Sequence, residues 1–396
     1  MQKIFIEKPY RFTPPLMLDW FAKLMNNRLV HVPLLRFTQS IRKVESRGAE
    51  LLKQSVDNGD AVMMIPNHPR VSDPVVMYDL IRKAGTPMFA MASWHLFNHT
   101  RIHSAIIRMY GGYSVNREGL DRESVNFSIS AMQNNSRPLL VFPEGATSRT
   151  NDALMPYLDG PIFIARAAAR RRSKKGLKTV IHPVAIRYVF TGDFKKEMAR
   201  MMDPVEDILN LSNGGDLDPV ERVHRALEAK VEKRELEFNV DPGTGLSPYD
   251  RRQRLADLVM ETAEERCFGQ RSERDITNRI RAVRSHVFPE LLANEGLSEK
   301  QQQIRWRDLE RTYLAWQMAS YPKEYLAGNP TNDRVLEIAS KVHEDLTDEP
   351  RRCGSQRVIV ECCEAIEVPS AKHRGPEPDP LVELIGTKLK DKLNQL

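Results

Sequence analysis

Long apolar runs are absent from this sequence of 396 residues. A membrane-spanning helix needs about 18–20 consecutive apolar residues, whereas the most apolar stretch, residues 61–66, has only the length of a strand. The first residues, Met1 to Glu7, also lack the apolar core and small-residue cleavage site of a secretory signal. We therefore expect a chain that stays in the cytoplasm, where it is made, and does not cross a membrane.

Cysteine is scarce, and neither sign of charge dominates. The four cysteines (Cys267, Cys353, Cys362 and Cys363) include no CxxC pair, which argues against a zinc site or a disulfide framework. Lys and Arg number 59 against 53 Asp and Glu, and 41% of the residues are hydrophobic. This balance excludes a disordered chain and predicts a folded globular protein with ample core.

Short apolar runs alternate with helical patterns over residues 61–188. The strand-like runs are 61–66, 87–92, 138–142 and 180–186, and their alternation with helices predicts an α/β fold with a largely parallel sheet flanked by helices. From residue 195 the strand signals stop and helix starts follow one another. The starts are marked by Asp218-Pro219, Ser247-Pro248, Ser298 with Gln301, and Thr331. Residues 195–350 are therefore predicted to be an all-α module.

Four segments follow from these patterns. Residues 1–48 read as an N-terminal amphipathic helical segment, 49–194 as the α/β domain, and 195–350 as a helical insertion. Residues 351–396 contain one strand-like run and one final helix, which are too little to fold alone, so we expect them to complete the α/β domain. Several inserted helices begin with arginine-bearing turns, but the spacing of those turns looks irregular and predicts no tandem repeat.

The segment from Asn67 to Pro74 carries the clearest chemical signal. His68 follows a buried strand, at the end of the sheet where open α/β folds place ligand sites. An imidazole can take a proton from a hydroxyl, and a carboxylate on its other nitrogen fixes the tautomer. Asp73 is of the right type for that partner. The alternative is a polar loop in which Asp73 merely caps the following helix.

Three further motifs lie near strand ends. Phe142, Pro143, Glu144 and Gly145 lead into a polar turn that holds Ser148 and Arg149; glycine permits close backbone approach, and the arginine suits an anion. Residues 112–117 place Arg117 after a short strand, where its guanidinium can fork onto a phosphate. Residues 181–186 form a further strand with Pro183 near its start.

Taken in order, these stretches resemble the four sequence blocks of the glycerolipid acyltransferase superfamily, whose best-known members are the lysophosphatidic acid acyltransferases. The blocks are Asn67-His68 with Asp73, residues 112–117, residues 142–145 and the strand around Pro183. The resemblance spans residues 67–187, and the C-terminal strand and helix resemble those that close the family's catalytic domain.

This resemblance implies an O-acyltransferase that needs no cofactor. His68 would be the general base and Asp73 its partner, and the acceptor hydroxyl would attack an acyl thioester of coenzyme A or acyl carrier protein. The implied acceptor is 1-acylglycerol-3-phosphate, in phospholipid biosynthesis. Residues implied to bind its phosphate are Arg117, Glu144, Gly145, Ser148 and Arg149; those implied to support the site are Asn67, Gly112, Phe142, Pro143 and Pro183. Many members have Thr-Arg-Ser directly after the glycine, whereas here Ala146, Thr147 and Ser148 follow it and the arginine comes later, at Arg149.

Several alternatives remain open at this stage. Glycerol phosphate, an aminolipid and another lysolipid are alternative acceptors, and a noncatalytic lipid-binding or scaffold protein would share the fold. Residues 166–178 carry seven cations and no acid, which suits an anionic membrane surface, donor phosphates or an acidic carrier protein, or else a solvated helix end. No nucleic-acid-binding motif accompanies this charge. The N-terminal segment, with Trp20, suits peripheral attachment to the inner face of a membrane.

Overall fold

A computed structural model describes most of the chain. It covers residues 10–16, 39–119, 121–135, 137–293, 296–371 and 379–396, together with the single residues Leu18, Trp20, Leu24, Asn27, Pro33, Leu35, Arg36 and His373. The predicted N-terminal helical segment therefore lies largely outside the described residues. Among the described helices, none combines the length and apolarity required to cross a bilayer. The four cysteines are free thiols.

The chain divides into two compact units. One consists of residues 10–192 and 354–396, and the described part of the other runs from Asp193 to Cys353. The first is an α/β unit and the second is helical, which confirms the predicted fold class. One element is corrected: residues Ile41–Arg47, which we assigned to the helical N-terminal segment, form strand β1. They pair along Gln356–Cys362, a partner more than 300 residues away that local pattern cannot reveal.

The α/β unit contains an eight-stranded sheet. Its strands are β1 Ile41–Arg47, β2 Ala61–Pro66, β3 Phe89–Ser93, β4 Gly112–Val115, β5 Leu139–Leu140, β6 Thr179–Phe190, β7 Gln356–Cys362 and β8 Ile366–Glu367. The order is β1-β7-β6-β2-β5-β3-β4, with β8 also paired to β6. All pairings are parallel except those of β6 with β7 and β8. The sheet is thus largely parallel, and β5 is shorter than the predicted run.

Helices cover both faces of this sheet. They are α1 Ala49–Asp57, α2 Asp73–Ala84, α3 Arg101–Met109, α4 Arg122–Gln133, α5 Asp159–Ser173 and, near the C-terminus, α12 Pro380–Gln395. Successive residues of β2 alternate between two cores: Met63 packs with α4, α5 and α12, and Met64 with α1 and α2. Burial of β2 on both faces explains its uninterrupted apolar sequence.

Parallel pairing brings four strand ends to one edge of the sheet. β2, β3, β4 and β5 run in the same direction, so the loops after Pro66, Ser93, Val115 and Leu140 all leave from their carboxyl ends. This is the edge at which open α/β sheets bind ligands. β6 continues beyond it, because Pro66 at the end of β2 pairs with Val184 while β6 runs on to Phe190.

The helical unit contains six described α-helices. They are α6 Phe194–Ile208, α7 Pro219–Phe238, α8 Pro248–Phe268, α9 Ile276–Ala293, α10 Glu299–Ala319 and α11 Asn332–Thr347. The predicted start signals are confirmed: Asp218, Ser247, Ser298 and Thr331 each accept a backbone hydrogen bond as N-cap, and Ser298 with Gln301 closes a capping box. These caps satisfy amides that the first helical turn leaves unpaired.

A repeated junction joins the first four of these helices, contrary to the irregular spacing read from the sequence. A buried glutamate near the end of one helix accepts hydrogen bonds from an arginine in the first turn of the next. The three pairs are Glu206 with Arg222, Glu235 with Arg251 and Glu264 with Arg279, at Nη2···Oε2 distances of 2.6, 2.5 and 2.9 Å. Each glutamate also accepts a backbone N–H eight residues on, from Gly214, Gly243 and Ser272.

The interval between successive glutamates is 29 residues (206, 235, 264). Arginine-bearing turns alone obscure this regularity, because many exposed arginines surround the ones that bridge. The informative signal is the acid that precedes each arginine by 15 or 16 residues. Only packing of consecutive helices shows that this acid and base meet, since their separation exceeds the reach of contacts within one helix.

Candidate active site

His68 and Asp73 lie in direct contact at the carboxyl edge of the sheet. The His68 Nδ1 atom is 2.7 Å from Asp73 Oδ2, and the His68 ring stacks on Phe142 with 3.9 Å between ring centres. Because a carboxylate accepts, Nδ1 carries the proton and Nε2 is the basic nitrogen. Among the described residues none bonds to Nε2. The side chain of His68 is 15% exposed and that of Asp73 fully buried.

Asp73 is not the N-cap of α2, as the capping alternative held. Ser72 occupies that position, and Asp73 is the first helical residue. Its carboxylate is committed to three donors outside the helix: His68 Nδ1, the backbone N–H of Arg70 (2.9 Å) and the hydroxyl of Tyr188 (2.7 Å). Three donors hold both carboxylate oxygens in place, so Asp73 orients the imidazole.

Tyr188 is a residue of this site that the sequence did not reveal. It lies on β6 beyond the end of β2, fully within the interior. Its hydroxyl donates to Asp73 Oδ1 and lies 2.9 Å from Ser72 Oγ. Burial and the adjacent carboxylate raise the pKa of Tyr188 well above its usual value, so the hydroxyl stays protonated and remains a donor.

Two asparagine amides complete the part of β6 that β2 leaves unpaired. Asn67 accepts from the Ile186 N–H (2.7 Å) and donates to its carbonyl (2.9 Å). Asn151 does the same at Tyr188, at 2.8 Å for both bonds. Each side-chain amide thus substitutes for a strand neighbour. Asn67 was predicted as a supporting residue; Asn151 was missed, because an asparagine in a polar loop carries no distinctive local signal.

The carboxyl group of Glu144 is buried and bonds to backbone amides. It is 3% exposed, and its two oxygens accept from the backbone N–H groups of His68 (2.9 Å) and Met155 (3.2 Å). Burial, with a contribution from Asp73, raises the pKa of Glu144 to about 8. Both oxygens are thus bonded to backbone amides, and Glu144 fixes the loop that carries His68. Its contact with a phosphate stays a prediction.

Arg117 meets the turn that follows Glu144. Its Nη1 atom donates to the Gly145 carbonyl at 2.6 Å, and Gly145 has a φ of +69°, a conformation that favours glycine. A Cβ at Gly145 would also lie 2.6 Å from Leu158. No ion pair joins Arg117 to any described residue, and its Nε is buried without a partner. Burial lowers the pKa of Arg117. The guanidinium of Arg117 therefore has no ion-pair partner among the described residues, and an anionic ligand would supply one.

Ser148 and Arg149 belong to the loop facing His68. The Ser148 N–H donates to the His68 carbonyl at 2.8 Å, and its hydroxyl donates to the Thr150 carbonyl at 3.0 Å. Arg149 has a φ of +67°, and its carbonyl accepts from Arg70 Nη1 at 2.8 Å. The structure thus brings both predicted residues to the site, where Ser148 ties down the His68 loop.

The remaining predicted supporting residues occupy structural positions. Gly112 opens β4, where a Cβ would lie 2.5 Å from Ile107. The Pro143 carbonyl accepts from the Leu158 N–H at 2.8 Å. Pro183 pairs with Ile65 of β2, and its carbonyl accepts from Cys363 N–H at the point where β6 changes partner from β8 to β7. These contacts shape the sheet around the edge that carries His68 and Asp73.

Several cations of the basic segment 166–178 bond to other parts of the α/β unit. Arg166 binds Asp379 and the carbonyl of Ala371, and buried Arg172 donates to three carbonyls (Gly59, Gln133 and Lys178). Lys178 pairs with Glu367. Arg170, Lys174 and Lys175 are exposed. Arg166, Arg172 and Lys178, three of the seven cations, thus bond to other parts of the α/β unit.

We expect Tyr188→Phe to lower kcat about tenfold, because the lost donor is a hydrogen bond to a charged group. The KM values should not change, since Tyr188 touches Asp73 and not the exposed edge of His68. Steady-state kinetics on the purified variant checks this. Tyr113→Phe is the matched control: it removes a buried hydroxyl bonded to Ser128 Oγ in the same unit. An unchanged kcat, or an effect confined to KM, would contradict the positioning role.

Comparison with known proteins agrees with this geometry. Residues 43–187 match a family model described as Acyltransferase. No curated protein matches the chain. The matched segment begins in β1 and ends in β6, and it includes His68, Asp73, Arg117 and the turn at 142–145. Tyr188 lies one residue beyond it.

Proposed function

We propose that this acyltransferase, whose residues 43–187 form a domain of the glycerolipid acyltransferase family, moves an acyl chain from a thioester to a hydroxyl of a phosphate-bearing lysolipid. The proposed acceptor is 1-acylglycerol-3-phosphate, which would place the reaction in phospholipid biosynthesis. The proposed donor is acyl-CoA or acyl carrier protein. The His68–Asp73 pair beside an unpaired Arg117 is the observation that supports this assignment best.

His68 Nε2 takes the proton as the acceptor hydroxyl oxygen attacks the thioester carbonyl carbon. Asp73 stabilises the imidazolium that forms, and Tyr188 with the Arg70 N–H keeps the carboxylate in place. The tetrahedral intermediate then collapses, the C–S bond breaks, and the departing thiolate recovers the proton from His68. The sequence of steps passes through no acyl-enzyme, and it returns His68 to its starting state.

Arg117 supplies the charge that selects the acceptor. Its Nη1 is held by Gly145, next to Glu144, whose oxygen holds the backbone of His68. One turn thus connects the proposed phosphate ligand to the proposed base. A phosphate bound at Arg117 would be oriented relative to Nε2 by this rigid link, which lowers the entropic cost of bringing hydroxyl and thioester together.

A membrane surface is the proposed place of reaction, because the acceptor and the product carry acyl chains. Trp20 is described as part of the N-terminal segment and is 63% exposed, which suits an aromatic side chain at a headgroup layer. The exposed cations of the basic segment, Arg170, Lys174 and Lys175, suit an anionic surface. These side chains support the proposal that the protein attaches peripherally to the inner face of the membrane.

The test is a thiol-release assay with the full chain and acceptors presented in vesicles. Palmitoyl-CoA and palmitoyl-carrier protein serve as donors, and 1-acylglycerol-3-phosphate, glycerol 3-phosphate and a neutral monoacylglycerol serve as acceptors. We expect acceptor-dependent thiol release and a diacyl phosphate product by mass spectrometry. Thiol release with glycerol 3-phosphate alone would show that glycerol 3-phosphate, and not 1-acylglycerol-3-phosphate, is the acceptor. Vesicle binding without thiol release from either donor would indicate a lipid-binding protein rather than an enzyme.

A further inference from the structure

One position breaks the repeated pattern of the helical unit. In the three glutamate–arginine junctions, the residue that follows the bridging arginine is Val223, Arg252 and Ile280 in turn. All three are buried, with 0%, 7% and 1% of their surface exposed. Arg252 therefore occupies a place that the neighbouring junctions give to an apolar side chain. The two neighbouring junctions thus form without a cation at this position.

Arg252 also lacks the partner that a buried cation needs. Neither a hydrogen bond nor an ion pair joins it to any residue that the structure describes, and its Nε is buried without an acceptor. Its guanidinium lies 5.4 Å from the centre of the Tyr321 ring, which also faces the ammonium groups of Lys230 and Lys341. Burial lowers the pKa of Arg252. A buried charge of this kind is unfavourable unless something pairs with it.

A cavity adjoins this arginine, between α7 and α8. It has a volume of about 120 Å³ and is lined by Leu227, Glu228, Val231, Leu246, Pro248, Arg251 and Arg252. The charge of Arg251 is met by Glu235 at 2.5 Å, and Glu228 is exposed and makes no ion pair with Arg252. Among the described lining residues, Arg252 is thus the cation without a counter-charge.

We propose that this cavity binds a small aliphatic carboxylate, with its carboxylate on Arg252. A planar carboxylate matches the fork of a guanidinium. The apolar side chains of Leu227, Val231 and Leu246 suit an aliphatic body, and the cavity limits that body to a few carbons. A single guanidinium in a lining that also contains the carboxylate of Glu228 favours a monoanion over a phosphate dianion. The site belongs to the helical unit and is independent of the proposed acyl transfer.

Calorimetric titration of the full chain with butanoate tests the site directly. We expect wild type to bind butanoate, but to bind neither n-butanol, which has the same body without the charge, nor inorganic phosphate. Arg252→Met should weaken butanoate binding by about tenfold to a hundredfold, the effect of losing hydrogen bonds between charged groups. Arg254→Met is the matched control, because Arg254 lies on the same helix outside the cavity and donates to the Asp241 carbonyl; it should bind like wild type.

Urea unfolding of the same variants supplies a readout that does not depend on the ligand. Without butanoate, Arg252→Met should unfold at the same or a higher urea concentration than wild type, because it removes an unpaired buried charge. A lower midpoint would show that the Tyr321 ring already compensates the charge of Arg252 and would overturn the proposal. Failure of wild type to bind butanoate, equal binding by Arg252→Met, or preference for phosphate would overturn it as well.

Discussion

His68→Ala should abolish nearly all acyl transfer while leaving the protein folded. General-base catalysis contributes about 10²–10⁴-fold to rate, so we expect kcat to fall by about a thousandfold. Among the described residues none hydrogen-bonds to Nε2, which leaves this nitrogen open to the acceptor hydroxyl. KM for the acceptor should change little, because the proposed phosphate ligand is Arg117. Thiol release with saturating donor and acceptor measures the effect, and circular dichroism checks the fold.

The matched control for this change is His286→Ala. His286 lies in the helical unit, where its partly exposed ring pairs with Glu290, and its loss should leave kcat at the wild-type value. A folded His68→Ala protein that transfers acyl chains as fast as wild type would remove His68 from the mechanism. The family assignment of residues 43–187 would stand, but the base would have to be sought elsewhere.

Arg117→Ala should lower kcat/KM for the phosphate-bearing acceptor by about a hundredfold. Truncating one side of a buried charge pair typically costs 2–5 kcal/mol, and most of that loss should appear in KM because Arg117 binds phosphate in both ground and transition states. A neutral monoacylglycerol should react with wild type and Arg117→Ala at similar rates. Kinetics with both acceptors separates loss of recognition from general damage.

Two further variants sharpen the test of Arg117. Arg117→Lys keeps the charge but loses the guanidinium fork and the bond to Gly145, so it should recover only part of the loss. Arg82→Ala removes an arginine near the C-terminal end of α2, at the opposite edge of the sheet, where it pairs with Asp79; it should behave as wild type. Equal losses of Arg117→Ala on neutral and phosphorylated acceptors would refute a phosphate role.

For Glu144, the sequence motif predicts the position of the residue but not its hydrogen bonds. Its place in the 142–145 turn marked it as part of the site, and it is there. Its hydrogen bonds could not be predicted, because the backbone amides of His68 and Met155 become its neighbours only when loops from different strands converge. Burial then raises its pKa to about 8, which no neighbour in the sequence would cause.

Asp73 makes the complementary point. Its distance of five residues from His68 allowed a dyad, and a short loop between β2 and α2 makes that contact local. In the structure Ser72 is the N-cap, and the carboxylate of Asp73 accepts instead from Tyr188, 115 positions away. Arg252 is similar, because its lack of a partner appears only when α7, α8 and the ring of Tyr321 are packed together.

The sequence by itself determined the α/β class, the all-α module, the helix caps and the candidate roles of His68, Asp73 and Arg117. These follow from periodicity, capping and side-chain type, which act between near neighbours or on single residues. Tertiary structure decided the pairing of β1 with β7, the hydrogen bonds of Tyr188 and Asn151, and the unpaired charge of Arg252. Those depend on which distant segments share a sheet or a helix interface, because burial and long-range hydrogen bonds exist only after the chain has packed.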